Sequence, residues 1–349
     1  MGSSDVLTPT FLSEALGTPV VAIETKAVGT GQVASSIRVT LTYAPGGSGP
    51  ATIVAKLPSD DETSRNTSRA LRSYLIETSF YRDLAPHLPV RAPGCFHVSH
   101  DPISDDFVLL LEDLAPAEQG DQIAGCSAAV AAIAVEHLPS LHGPRWGDPS
   151  LKDLAWLARS TPETAAFTSM LVLSLLDLFE QRYSDRVDDD ILALARRAIP
   201  ALAEVASADS ASWTVQHGDY RLDNLLFATA VGGSAIAVVD WQTVVHGNGV
   251  MDLSYFIGGG LTVADRRHHE TDLVRLYQAG MAAHGVELDW DNLWRDYRRF
   301  AMAGLSMAIG ASGLVGQTDR GDDMFVAMAQ RHGRHALDLE IESVLASPS

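Results

Sequence analysis

Two carboxylates and a carboxamide stand at spacings that phosphoryl transfer would use. The segment His217-Gly218-Asp219-Tyr220-Arg221-Leu222-Asp223-Asn224 sets Asp219 and Asn224 five residues apart. A second segment, Ala235-Ile236-Ala237-Val238-Val239-Asp240-Trp241, reads as an apolar strand that closes on another aspartate. Transfer of a phosphoryl group to an alcohol needs a carboxylate to take or orient the hydroxyl proton. It also needs two oxygen ligands to hold Mg2+ against the nucleotide phosphates. Asp219 suits the first role, Asn224 and Asp240 the second. Taken singly, each reads more simply as a turn cap or a strand end. The three in order, with an apolar strand before the last, favour the chemical reading. His217 reads as a brace for the loop rather than a proton shuttle.

An anchor for phosphate charge is expected upstream. Lys56 lies inside the apolar run Thr52-Ile53-Val54-Ala55-Lys56-Leu57, where burying an ammonium is costly without an anionic partner. Nucleotide phosphates would supply that partner, with Glu77 positioning the amine from the helix that also carries Phe80 and Tyr81. The plainer alternative is a lysine that snorkels from an edge strand past a solvated Glu77. Gly29-x-Gly31 would let backbone N–H groups approach phosphates, with Ser35 and Ser36 as hydroxyl donors. An ordinary hairpin explains that glycine pair equally well, and Ala34 stands where a third glycine would fall. Val108–Leu114 joins the two halves of the chain, and backbone groups around Glu112 and Leu114 are expected to meet an adenine edge. Asp252, at a helix start, is expected to steady the Asp219 loop.

The elements that must position these groups fall into two halves. Thr8-Pro9 opens a short helix that Gly17 ends. Strands are expected over 20–28, 35–43, 51–57, 95–100 and 107–111. A turn-rich stretch is expected at 59–66, then one helix over 68–84. After residue 114 helices dominate, over 121–142, 163–182, 189–206, 264–285, 289–312 and 323–345, interrupted by the Asp219 loop and its two β segments. The expected architecture is α+β and two-lobed. Residues 1–113 would form an antiparallel nucleotide-binding lobe with one main helix, and residues 114–349 a helical lobe with the catalytic loop, metal site and acceptor site. Asp291, Trp294, Tyr297 and Met302 are acceptor-site candidates that fit helix packing equally well.

Composition narrows the classes. The chain has 349 residues, 46% hydrophobic, and a formal net charge of -19. No Lys/Arg-rich stripe appears, which argues against a nucleic-acid partner, and the acidity disfavours an anionic membrane surface. No apolar run is expected to approach the ~18 residues of a membrane helix. Cys95 and Cys126 lie far apart without metal-ligand spacing and read as buried thiols. Asp265–Glu270, with its adjacent His268 and His269, reads as a solvated helix face rather than a metal site. Met1-Gly2-Ser3-Ser4-Asp5 lacks the features of a signal peptide, so a soluble, cytoplasmic protein is expected.

The Asp-x-x-x-x-Asn spacing and the aspartate after the next strand are similar to a kinase catalytic loop and its metal-binding strand. Over most of its length the chain resembles the aminoglycoside phosphotransferase superfamily, within the branch shared with choline kinases and ecdysteroid-kinase-like proteins. The motifs behind this resemblance are His217–Phe227, Val239-Asp240-Trp241-Gln242, Pro139-Ser140-Leu141-His142-Gly143 and Asp252-Leu253-Ser254-Tyr255-Phe256. It implies a protein-kinase-like fold, ATP and Mg2+ as cofactors and a small-molecule hydroxyl as acceptor. Asp219 is then the base, Asn224 and Asp240 the metal ligands, Lys56 the phosphate anchor and Glu77 its partner. Gly218, where protein kinases usually carry arginine, and the absence of an Ala-Pro-Glu segment disfavour a protein acceptor. Antibiotic, sugar, amino alcohol, sterol and hydroxyacyl thioester all fit. The alternative is a catalytically silent nucleotide-binding pseudokinase or regulatory module, which turnover on some alcohol would exclude.

Overall fold

The computed structural model describes residues 3–29, 34–207 and 212–345. Helix α1 (Pro9–Leu16) begins as its sequence dictates: Thr8 accepts the Phe11 N–H at 3.1 Å, and Gly17 ends it at a φ of 67°. Strands β1 (Val20–Val28), β2 (Ala34–Tyr43) and β3 (Thr52–Pro58) follow. Helices α2 (Glu62–Leu71) and α3 (Ser73–Ser79) precede β4 (Cys95–His100) and β5 (Phe107–Glu112). The five strands form one antiparallel sheet in the order β1-β2-β3-β5-β4. Ile53, Ala55 and Leu57 close one face of the sheet against Leu12 of α1. Strand alternation therefore turns Lys56 to the opposite face, toward α3. On that face Leu109 and Leu111 pack with Tyr74, Ile76 and Phe80, in a core continuous with the helical part.

Two expectations for this region are corrected. Residues 59–66 are not simply a turn: Asp61 accepts the Ser64 N–H at 2.7 Å and caps α2, whose acidic first turn suits the helix dipole. The single helix expected over 68–84 breaks at Arg72, which takes a left-handed φ of 58°. The break lets α3 leave on a new axis and bury Tyr74, Ile76 and Glu77 before a wide π turn at Phe80–Leu84.

Beyond β5, the short β6 (Glu118–Gln119) leads to α4 (Ala128–His142), α5 (Pro162–Tyr183), α6 (Asp189–Ala198) and α7 (Leu202–Ser207). Helix α4 starts later than expected because Asp121 ties up the Ile123 and Ala124 N–H groups and Gly125 takes a φ of 78°. Four short strands frame the Asp219 loop: β7 (Trp213–Gln216), β8 (Leu225–Thr229), β9 (Gly232–Val238) and β10 (Val245–Asn248). β7 pairs with β10, and the β8–β9 hairpin takes β6 as its third strand. Helices α8 (Val250–Gly260), α9 (Val263–Ala283), α10 (Trp290–Arg299), α11 (Ala303–Leu314), α12 (Asp319–Asp338) and α13 (Ile341–Leu345) complete the expected two-lobed α+β architecture.

Three smaller readings change. Helix α5, 22 residues with a mean hydropathy of 1.3 over its most apolar window, is long and apolar enough to cross a membrane, contrary to expectation. Its Ala165, Val172, Leu176, Phe179 and Tyr183 are nevertheless buried in the protein. Cys95 is exposed rather than buried. Within Asp265–Glu270, Arg266 and Glu270 sit one turn apart and face inward, paired at 3.0 Å, and Glu270 also accepts the Tyr297 hydroxyl at 2.8 Å.

Candidate active site

The loop that carries Asp219 is held from several directions. Gly218 has a φ of 82°, and a Cβ there would stand 2.5 Å from the Thr243 carbonyl oxygen, so only glycine fits. Buried Asp252, on α8, accepts the N–H of His217 at 2.6 Å and of Gly218 at 2.9 Å. It also lies 3.2 Å from His142 Nε2, while His142 Nδ1 is 2.9 Å from the Tyr277 hydroxyl. His217 Nδ1 accepts the Asp219 N–H at 3.2 Å, which leaves Nε2 to donate to the Val239 carbonyl at 3.1 Å. With both nitrogens committed, the imidazole is a brace. Tyr220 donates to the Ala134 carbonyl at 2.9 Å, and Gln122 accepts the Leu222 N–H at 3.1 Å. Nothing in the sequence around Gln122 marks it for this task.

Three donors converge on the Asp219 carboxylate. Oδ1 accepts the Tyr255 hydroxyl at 2.8 Å. Oδ2 accepts Arg221 Nε at 3.0 Å and Asn224 Nδ2 at 2.9 Å. Arg221 reaches Asp223 as well, at 3.0 Å. Burial works against the Arg221 charge, but Asp219 and its other neighbours outweigh it, and its pKa is raised. Sequence reasoning singled out neither Arg221 nor Tyr255. A signal existed for the tyrosine: it stands three residues after Asp252, and so on the same side of a helix.

Buried Glu77 and half-buried Lys56 and Asp240 form one cluster. Lys56 Nζ lies 2.7 Å from Glu77 Oε2 and 2.7 Å from Asp240 Oδ1. Burial disfavours the ammonium, yet Asp240 and Glu77 more than offset it, so the Lys56 pKa is raised. Burial raises the Glu77 pKa against the pull of Lys56, whereas at Asp240 the lysine outweighs burial and the pKa falls. Asp240 holds a φ of 65°. That left-handed conformation costs a non-glycine residue about 1–2 kcal/mol, a strain of the sort found at functional sites. Next to it, Trp241 stacks on Phe80 at 3.9 Å and 8°, and its indole donates to the Val238 carbonyl at 3.1 Å. Glu77 and Phe80, three residues apart, thus grip the Asp240-Trp241 pair from one side.

The other expected residues divide. Ser35 is half-buried on β2, opposite Leu57 and next to the Ser36–Lys56 pair. Gly31 lies outside the described residues; Gly29, before it, has a φ of 77°. In the interlobe link expected to meet an adenine edge, two backbone groups are used internally. The Glu112 N–H donates to Gly94 at 2.7 Å, and the Leu114 carbonyl accepts the Ala117 N–H at 2.9 Å. The Glu112 carboxylate is occupied by Arg91, at 2.6 and 2.8 Å. Among the acceptor candidates, Tyr297 and Met302 are buried in the core, while Asp291 and Trp294 line an open groove of about 370 Å³ with Arg298 and Ser343.

The donor set can be tested against Mg2+. No group of three or more His, Cys, Asp or Glu suited to a metal occurs among the described residues. Asn224 and Asp240 lie on adjoining segments, since the Val239 N–H donates to the Asn224 carbonyl at 3.0 Å. With Asn224 Nδ2 committed to Asp219, its Oδ1 is the atom left to ligate. One carboxylate and one amide oxygen fit an ion that takes its remaining ligands from water and substrate phosphates.

Residues 38–298 match the family model described as "Phosphotransferase enzyme family". A comparison with curated proteins finds no match. Among solved structures, a choline kinase from Cryptosporidium parvum Iowa II is similar at a TM-score of 0.58 and 12% identity, over 92% of this chain and 89% of that one. The GDP and kanamycin complex of APH(2")-IIia gives 0.52 and 13%, over 87% and 92%. A microcompartment-associated aminopropanol kinase gives 0.51 and 14%, over 97% and 99%. At these identities the likeness is one of fold.

Proposed function

The chain belongs to the phosphotransferase enzyme family, and from that premise we propose that it transfers the γ-phosphoryl group of ATP, with Mg2+, to a hydroxyl of a small molecule. The observation that carries this reading is the contact of Lys56 with both Glu77 and Asp240, together with the hydrogen-bonded Asp219–Asn224 pair. Residues from both halves of the chain supply what phosphoryl transfer requires. Lys56, kept charged, takes phosphate negative charge. Asn224 and Asp240 would hold Mg2+, which when bound neutralises charge on the phosphates. Asp219 accepts the hydroxyl proton as the acceptor oxygen bonds to phosphorus and the diphosphate leaves.

The test is a thermal-shift titration with ATP and Mg2+, followed by a nucleotide-consumption screen over diverse alcohols. ATP with Mg2+ should raise the melting temperature, and one class of alcohol should stimulate consumption. Binding without turnover on any alcohol would point instead to a silent nucleotide-binding module. Asp240→Ala should abolish the Mg2+-dependent part of the ATP shift. A ligand at a hundredfold its Kd contributes about 2.7 kcal/mol, so the loss should be measurable. An unchanged Mg2+ dependence in that variant would remove Asp240 from the metal site.

A further inference from the structure

We infer that Tyr255 is a positioning residue that fixes Asp219 so that Oδ1, and not Oδ2, receives the acceptor's proton. The inference rests on the phosphotransfer reading and adds to it a residue and an atom. A carboxylate oxygen has two lone pairs. Oδ2 already accepts two donors, Arg221 Nε and Asn224 Nδ2. Oδ1 accepts one, the Tyr255 hydroxyl, and keeps a lone pair for an incoming alcohol. In the transfer step the acceptor O–H bond breaks and an Oδ1–H bond forms. The acceptor oxygen bonds to phosphorus, and the nucleoside diphosphate departs with the electrons of the broken P–O bond. Tyr255 keeps its own proton throughout.

The tyrosine differs from the other two donors in its origin. Arg221 and Asn224 belong to the same loop as Asp219 and move with it. Tyr255 is on α8, one turn beyond the Asp252 that holds the loop backbone, and its side chain is buried. Its ring packs on His332 of α12 at 5.2 Å and 36°. His332 fits only because three neighbours are glycine: a Cβ would come within 2.0 Å of its ring at Gly304, 2.5 Å at Gly259 and 2.8 Å at Gly258. Both His332 ring nitrogens are buried without a hydrogen-bond partner among the described residues, so the ring contributes shape rather than bonding. Helix α12 lies beyond residue 298, where the family match ends. The backing of Tyr255 thus comes from outside the matched region.

Tyr255→Phe keeps the ring and its packing and removes only the hydroxyl. Loss of one hydrogen bond to a charged group should lower kcat roughly ten- to hundredfold. The nucleotide KM should stay as in the wild type while kcat falls, a split that a merely structural role would not produce. The assay uses MgATP with the acceptor from the screen, or with water as acceptor. A crystal structure of the variant should show the Asp219 carboxylate turned away from its wild-type position. A carboxylate that stays in place overturns the positioning role whatever the rate does, and so does an unchanged kcat. If the wild-type protein consumes no ATP, the phosphotransfer reading is what fails. The carboxylate position in the variant then decides the role of Tyr255 alone.

Discussion

Asp219→Asn should leave a folded, nucleotide-binding protein whose phosphoryl transfer is slower by roughly 10²–10⁴-fold. The substitution preserves size and removes the basic lone pair. Its carboxamide can still satisfy the surroundings: the oxygen can face Arg221 and Asn224, and the amide N–H groups can face Tyr255, whose hydroxyl can turn to accept. Arg221 keeps its second carboxylate partner, Asp223, at 3.0 Å. Lys56 and Asp240 are untouched, so the thermal shift with ATP and Mg2+ should persist. Steady-state kinetics and that shift, measured together, make the check. Full turnover by the purified variant would sink the assignment of Asp219. A vanished ATP shift would instead mean that the substitution had disturbed the nucleotide site.

Asp252→Ala should be the most destabilising of the single changes considered. It removes the acceptor for two backbone N–H groups and for His142, all in a buried setting. A buried donor left without its acceptor costs about 1–3 kcal/mol, and several lose theirs together here. For a lobe of this size that corresponds to a melting temperature lower by about 10 °C. Asp252→Asn retains one acceptor oxygen but must turn an amide N–H toward another donor, so it should fall between the two. An alanine variant that melts with the wild type would show that water replaces the carboxylate without loss, and that the loop does not depend on Asp252.

Much of the candidate site was legible because its chemistry is written in residue types at short spacing. Asp219 and Asn224 share one loop, Asp240 closes an apolar strand, and Lys56 interrupts another. Alternation along β3 alone would place Lys56 opposite Ile53, Ala55 and Leu57. Helix α2 was misread because a charged cluster resembles a loop until Asp61 is recognised as an N-cap. The break at Arg72 was hidden for a different reason. Helical spacing continues through a left-handed residue, and only the need to bury Tyr74, Ile76 and Glu77 on another axis calls for the turn.

By itself, then, the sequence determined the class of architecture, the order of the elements and the inventory of acid, amide and lysine. These follow from periodicity, capping and burial cost, which act over a few residues. Tertiary structure alone decided which groups meet. Lys56 bonds Asp240 across 184 positions, and Tyr255 reaches Asp219 across 36. It also decided that residue 218 must be glycine, because the Thr243 carbonyl closes on it. Such contacts depend on how separately formed elements pack, and no local pattern encodes that.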